Sequence, residues 1–171
     1  MLNAPTPLNE PERLKTLLDL LILDTPPEQR FDRITQFARE EFEVPTVLLS
    51  LVDNNRQWFK SRVGLDACET PRSISFCGHA ILQSEPLVIE DTLEDPRFAD
   101  NPLVSGAPYI RFYAGAPLEL APGVSVGTLC LISPEPRRFD ATDRVILAAL
   151  RDAIVLELRR RSRGEPEGGA D

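Results

Sequence analysis

A thiol and an imidazole stand two residues apart in Ser75-Phe76-Cys77-Gly78-His79. The segment opens a predicted short helix, Ser75 to Ser84, whose first N–H groups are free to receive an anion. A thiol beside such an end is acidified and can act as a nucleophile. The plainer reading is that Cys77 is buried, as free cysteines usually are, with His79 hydrogen-bonded beneath a loop. The plainer reading is preferred to a nucleophilic Cys77, and both residues stay candidates for lining a pocket.

Other residues join that candidate pocket. Trp58 offers a face on which a planar ligand would stack, whereas Phe59 suits packing under a helix. Arg111, Phe112 and Tyr113 form an aromatic and cationic lead-in to Ala114-Gly115-Ala116. Arg111 suits either an acidic ligand or an ion pair with Asp91 or Asp95. Phe98 anchors the long Pro- and Asp-rich stretch Glu90 to Pro108. A connection of that length in a compact domain is usually functional or mobile.

Composition narrows the chemistry. A net charge of −8 with pI near 4.8 argues against nucleic acid and against an anionic membrane surface. No apolar run reaches the ~20 residues of a spanning helix, and Met1 to Lys15 lacks the pattern of a secretion signal. A cytoplasmic location is expected. Cys68, Cys77 and Cys130 are not spaced as a zinc site, and one histidine excludes a multi-histidine metal centre. No cofactor is named by any motif.

The elements that must position these residues follow from periodicity. Asn9 and Glu12 suggest a capping box for a first helix with an apolar stripe at Leu14, Leu17, Leu18 and Leu21. Thr25, Pro26 and Glu28 suggest a second, carrying Phe31, Ile34, Ala38 and Phe42 and ending near Glu43. Val47 to Val52 is apolar on both faces and predicts a central strand. Gln57 to Val63 predicts an edge strand, since Lys60 and Arg62 discourage further pairing. Leu87 to Ile89 is a short strand. Ile110 to Ile132 predicts a hairpin turning at Pro122-Gly123, with Gly127 marking a bulge or a close backbone approach. Asp140 and Asp143 box a final helix with two apolar stripes. One is Leu147, Leu150, Ile154 and Leu158; the other is Ile146, Ala149, Ala153 and Leu156. One stripe suffices to dock on a sheet, so the second is read as a surface for another subunit.

The order of elements and seven segments resemble a GAF domain. The segments are ILDTPPEQRFD (22–32), LLSLVD (48–53), RQWFKSRVGL (56–65), TPRSISFCGHAIL (70–82), DPRFADNPLV (95–104), IRFYAGAPL (110–118) and VGTLCLI (126–132). The resemblance implies an α+β GAF fold: a central antiparallel sheet of five to six strands, with terminal helices on one face. A short helix and a long loop would roof the other. Residues 1–8 read as a flexible N-terminus, 9–163 as one domain and 164–171 as a disordered tail.

What the resemblance implies for function is a small-molecule-sensing or regulatory domain of bacterial signal transduction, non-catalytic. It would act as a homodimer through its N- and C-terminal helices, or on a histidine kinase or cyclase partner. Two alternatives stand beside it, an enzyme like free methionine-R-sulfoxide reductase and a ligand-free dimerisation module. Phe76-Cys77-Gly78 looks like the reductase Val-Cys-Gly, but the loop Asn101 to Tyr113, where its catalytic cysteine would lie, contains none. Bilin-binding relatives carry Cys directly before His, whereas Gly78 intervenes here. The cyclic-nucleotide signature Asn-Lys-x-x-x-Phe-x-x-x-Asp-Glu is missing.

Overall fold

The computed structural model of the chain describes residues 2–167. The order is α1 (Glu10–Asp19), α2 (Gln29–Phe42), β1 (Thr46–Val52), β2 (Arg56–Val63), β3 (Glu69–Pro71), α3 (Cys77–Ala80), β4 (Leu87–Ile89), α4 (Pro102–Ser105), β5 (Phe112–Ala121), β6 (Val124–Ser133) and α5 (Ala141–Ser162). The strands form one antiparallel sheet in the order β3-β2-β1-β6-β5-β4.

Alternation along β1 divides the interior into two apolar layers. Val47, Leu49 and Leu51 face the helices, with Leu17, Phe31, Phe42, Leu147, Ile154 and Leu158. Leu48 and Val52 face the roof, with Phe76, Cys77, Phe98, Tyr113 and Cys130. A strand covered on both faces must be apolar on both, as the sequence indicates. Gly127 lies where β6 crosses β1: an added Cβ would fall 1.9 Å from the Ser50 carbonyl oxygen. The expected close backbone approach is therefore present at that glycine.

Helix ends differ from their sequence signals. Asn9 makes no cap bond, and its Nδ2 donates to the Gly123 carbonyl of the β5–β6 turn at 2.9 Å. Leu18 and Leu21 of the expected stripe are exposed, while Arg13 is drawn inside. Its Nη1 donates to the Val52 carbonyl at 2.7 Å, and Glu10 pairs with its Nε at 2.8 Å. Strand-end carbonyls facing α1 thus select a cation where periodicity favours a leucine. The second helix starts at Gln29 rather than at Thr25. The Thr25 hydroxyl donates to the Ile22 carbonyl and accepts from Lys60 Nζ, so it is not free to cap. The short helix keeps only Cys77–Ala80, preceded by a 3₁₀ turn over Arg72–Ile74.

β2 is not the edge of the sheet. β3 pairs outside it, Arg56 with Pro71 through Trp58 with Glu69. The register of β1 against β2 slips between Leu49 and Ser50, which leaves Lys60 as the extra residue of a bulge. Its side chain turns inward and is fully buried against Glu28, at 2.7 Å. The reading of Lys60 as a solvent-facing guard against strand pairing is corrected accordingly. On α5 the expected capping box forms, Asp143 N–H donating to Asp140 Oδ1 at 2.8 Å and Asp140 N–H to Asp143 Oδ2 at 3.1 Å.

Candidate functional site

The roof over the sheet begins with polar groups holding the 70–78 segment. Gln57 points to the roof from β2, and its Oε1 accepts from Ser50 Oγ at 3.1 Å and Ser75 Oγ at 2.8 Å. Ser75 Oγ in turn accepts from the Gly78 N–H at 3.0 Å. That bond satisfies one of the free N–H groups at the start of α3. Asn101 ties the long loop to the same segment, its Nδ2 donating to the Ile74 carbonyl at 3.1 Å. Sequence reasoning passed over Ser50, Gln57 and Thr128. The available signal was a hydroxyl or amide at a roof-facing strand position between apolar neighbours.

Cys77 sits at the centre. Its Sγ accepts from Thr128 Oγ1 at 3.0 Å and from Tyr113 OH at 3.3 Å. Burial raises its pKa, but hydrogen bonds from Cys130, Thr128, Tyr113 and Ser50 reverse this and hold the thiol down at about 6. The Cys130 thiol, paired with it, is pushed up, and so is the Tyr113 phenol by burial and by Cys77. Gly115 makes this arrangement fit: an added Cβ would lie 2.2 Å from the Tyr113 oxygen.

The predicted pocket residues do not form one site. Phe76, Cys77, His79, Phe98 and Tyr113 come together, and they fill the space between sheet and roof with their own side chains. Phe76 stacks on Phe98 at 4.4 Å between centroids and lies 5.1 Å from Tyr113. His79 meets Phe98 edge-on at 4.8 Å, and its Nε2 lies 3.1 Å from the Leu2 carbonyl. Burial lowers the His79 pKa below its ordinary value, and the Leu2 carbonyl opposes this. The expected open recess is therefore occupied. Alternation sends Phe112 to the helix face, and Trp58 lies there too. Asp91 and Arg111 pair with each other at 3.0 Å beside the roof, the outcome weighed against an acidic ligand.

The three cysteines are also separated. Cys77 and Cys130 are buried, and Cys68 is exposed outside β2, with its carbonyl accepting from the Phe59 N–H. Cys68 lines a groove of about 610 Å³ between α2 and β2, with Trp58, Lys60, Asp32 and Thr35. Among the described residues no cluster of three or more His, Cys, Asp or Glu stands ready for a metal ion. No helix among them is long and apolar enough to cross a membrane.

Helices on one face of a six-stranded antiparallel sheet and a loop-built roof on the other define a small α+β domain with two unlike sides. The chain belongs to the GAF domain family, which it matches over residues 26–158. It is 44% identical over 137 residues to a cyclic di-GMP phosphodiesterase of Pseudomonas aeruginosa, a stretch that is 80% of this chain. The same stretch is 23% of the phosphodiesterase, so the chain spans about a quarter of that relative. The fold is similar to the GAF domain of an Acinetobacter phosphoenolpyruvate-protein phosphotransferase, with a TM-score of 0.64 and 15% identity over 90% of this chain and 97% of that one. It is also similar to a GAF sensor protein from Burkholderia vietnamiensis, with a TM-score of 0.60 and 19% identity over 90% and 98%. A free methionine-R-sulfoxide reductase of Neisseria meningitidis has a TM-score of 0.61 and 21% identity, covering 90% of each chain.

Proposed function

We propose that this chain is a non-catalytic regulatory module of bacterial signalling that acts on a second copy of itself through α5. The observation that carries the reading is the exposed face of α5. Val145 and Leu156 are 68% and 48% exposed, and Ala149 and Asp152 lie between them at the same face. The spacing of four, three and four residues is that of a two-helix seam. At the other end Arg161 ties α5 to the Leu20 and Leu21 carbonyls, where Leu21 is also exposed. The two apolar stripes of α5 thus divide differently from the sequence reading: Leu147, Ile154 and Leu158 are buried in the core with Ile146 packed against it, and Ala149 and Leu156 face outward toward the seam.

The roof supplies the input. Because Phe112 and Tyr113 are neighbours on β5 and face opposite layers, a shift of the roof against Tyr113 moves the strand that also touches α5. A small molecule entering the roofed side must displace Phe76 or Phe98, so binding and roof movement are one event. The cyclic di-GMP phosphodiesterase that shares 44% identity suggests a signalling enzyme as the setting for such a module. Sulfoxide reduction is not favoured: Cys77 Sγ is enclosed under the aromatic cluster, and Cys68, the exposed thiol, lies by the groove between α2 and β2 with neither of the other cysteines beside it to resolve a disulfide.

Sedimentation velocity of the wild type and of L156D tests the reading. The wild type is expected to sediment as a dimer and L156D as a monomer with unchanged circular dichroism. A wild-type monomer at tens of micromolar (about the range reached by weak homodimers) overturns it.

A further inference from the structure

The start of α2 lies on the helix side, away from the roof, and holds an unusual cation. Arg30, at the second position of this fourteen-residue helix, is 5% exposed and lines a cavity of about 630 Å³ with Arg161 and Glu165. Its Nη2 donates to the Glu165 carbonyl at 3.0 Å, and its backbone N–H donates to Glu167 Oε1 at 3.2 Å. Nε and Nη1 are buried and have no hydrogen-bond partner among the described residues. Glu28 stands 3.3 Å from Nε, Glu167 3.9 Å from Nε and Glu157 3.9 Å from Nη1, in ion-pair range without hydrogen-bond alignment. Glu28 is instead taken by Lys60 at 2.7 Å and Arg161 at 2.6 Å.

We propose that Arg30 and the α2 N-terminus form an oxyanion site, filled in cis by the Glu167 carboxylate and open to a phosphate-type anion in its place. A helix of this length concentrates free N–H groups and positive potential at its start. Each edge of the Arg30 fork is half used, since Nη2 has an acceptor and its two neighbours do not. A tetrahedral anion offers acceptors in several directions and satisfies donors that a carboxylate at 3.9 Å leaves unmade. Once Glu167 leaves, Arg30 keeps only Glu28 and Glu157 in ion-pair range; Glu28 is shared with Lys60 and Arg161, Glu157 is shared with Arg160 at 3.3 Å, and Asp19 also lines the cavity. The anion would then release the 165–167 segment from the end of α5.

The test titrates inorganic phosphate against chloride at matched ionic strength, reading the Arg30 amide and arginine Nε–H resonances by NMR. In E167Q, where the internal competitor is neutral, a saturable shift is expected with affinity about tenfold or more above wild type. Adding R30K, which keeps the charge but loses the fork, is expected to weaken phosphate by about tenfold. Absence of a saturable shift in E167Q overturns the proposal. So does equal affinity in wild type and E167Q, or binding in E167Q/R30K that matches E167Q, which would mark an adventitious surface anion only.

Discussion

Single residues settle what the two faces can do. Glu10 is a measurable case. Burial raises its carboxyl, but hydrogen bonds from Arg13 and Arg72 more than reverse this and hold it at about 2 against an ordinary 4.5. A carboxyl depressed on folding contributes stability that is complete above 4.5 and is lost as pH falls toward 2. Wild type should therefore lose on the order of 2–3 kcal/mol across that window that E10Q does not lose, measured by urea unfolding at stepped pH. Identical acid limbs in the two proteins would remove the interaction from the account. Arg13 itself shows where sequence reading stops. A hydrophobic stripe says which side of a helix turns inward, but not that the Val52 and Ser125 carbonyls wait there for a donor, at 2.7 and 3.4 Å from Arg13 Nη1. Lys60 is a similar case: alternation puts it on the helix side, and only the bulge opposite Leu49 and Ser50 draws it in to meet Glu28.

Elements were legible where a period of two or 3.6 was strong. β1 with both faces apolar, the β5–β6 hairpin with its Pro122-Gly123 turn, and α5 with its Asp140–Asp143 box all follow from pattern. β3 was not legible, because the three residues Glu69-Thr70-Pro71 carry no period, and the β2 partners of their side chains, Arg56 for Glu69 and Gln57 for Thr70, show only in the fold. The roof was legible as a place and misread as a void. The sequence supplies its aromatic residues, but only the fold shows that Phe76, Phe98 and Tyr113 meet each other rather than line an opening. His79 reports on that roof. Its pKa is lowered on folding, so the neutral ring is the stable one; stability is complete above the unfolded value near 6.5 and declines as pH falls through the lower folded value. Hydrogen exchange should accordingly show residues 76–81 losing protection on acidification from pH 7 to about 5, and H79Q should flatten that response. Equal responses in wild type and H79Q would separate His79 from the roof's opening.

At the scale of the molecule, two apolar layers share one sheet, and the proposed coupling of roof to α5 rests on that sharing. The strands β5 and β6 present alternate residues to each layer, Tyr113 and Cys130 to the roof and Phe112, Leu129 and Leu131 to the helices. Protein interiors are close-packed and pass on displacement rather than absorb it. The output surface proposed above is the outer face of α5, where Val145 and Leu156 are exposed. A homodimer built on one helix places equivalent residues near the symmetry axis.

Crosslinking at Ala149 tests the α5 seam most directly. In a C68S background, which removes the exposed native thiol, A149C should form an interchain disulfide under mild oxidation and run as a covalent dimer. L156D added to the same protein should abolish it. A149C that stays monomeric after oxidation, while its thiol reacts fully with a small reagent, would contradict a seam along that face.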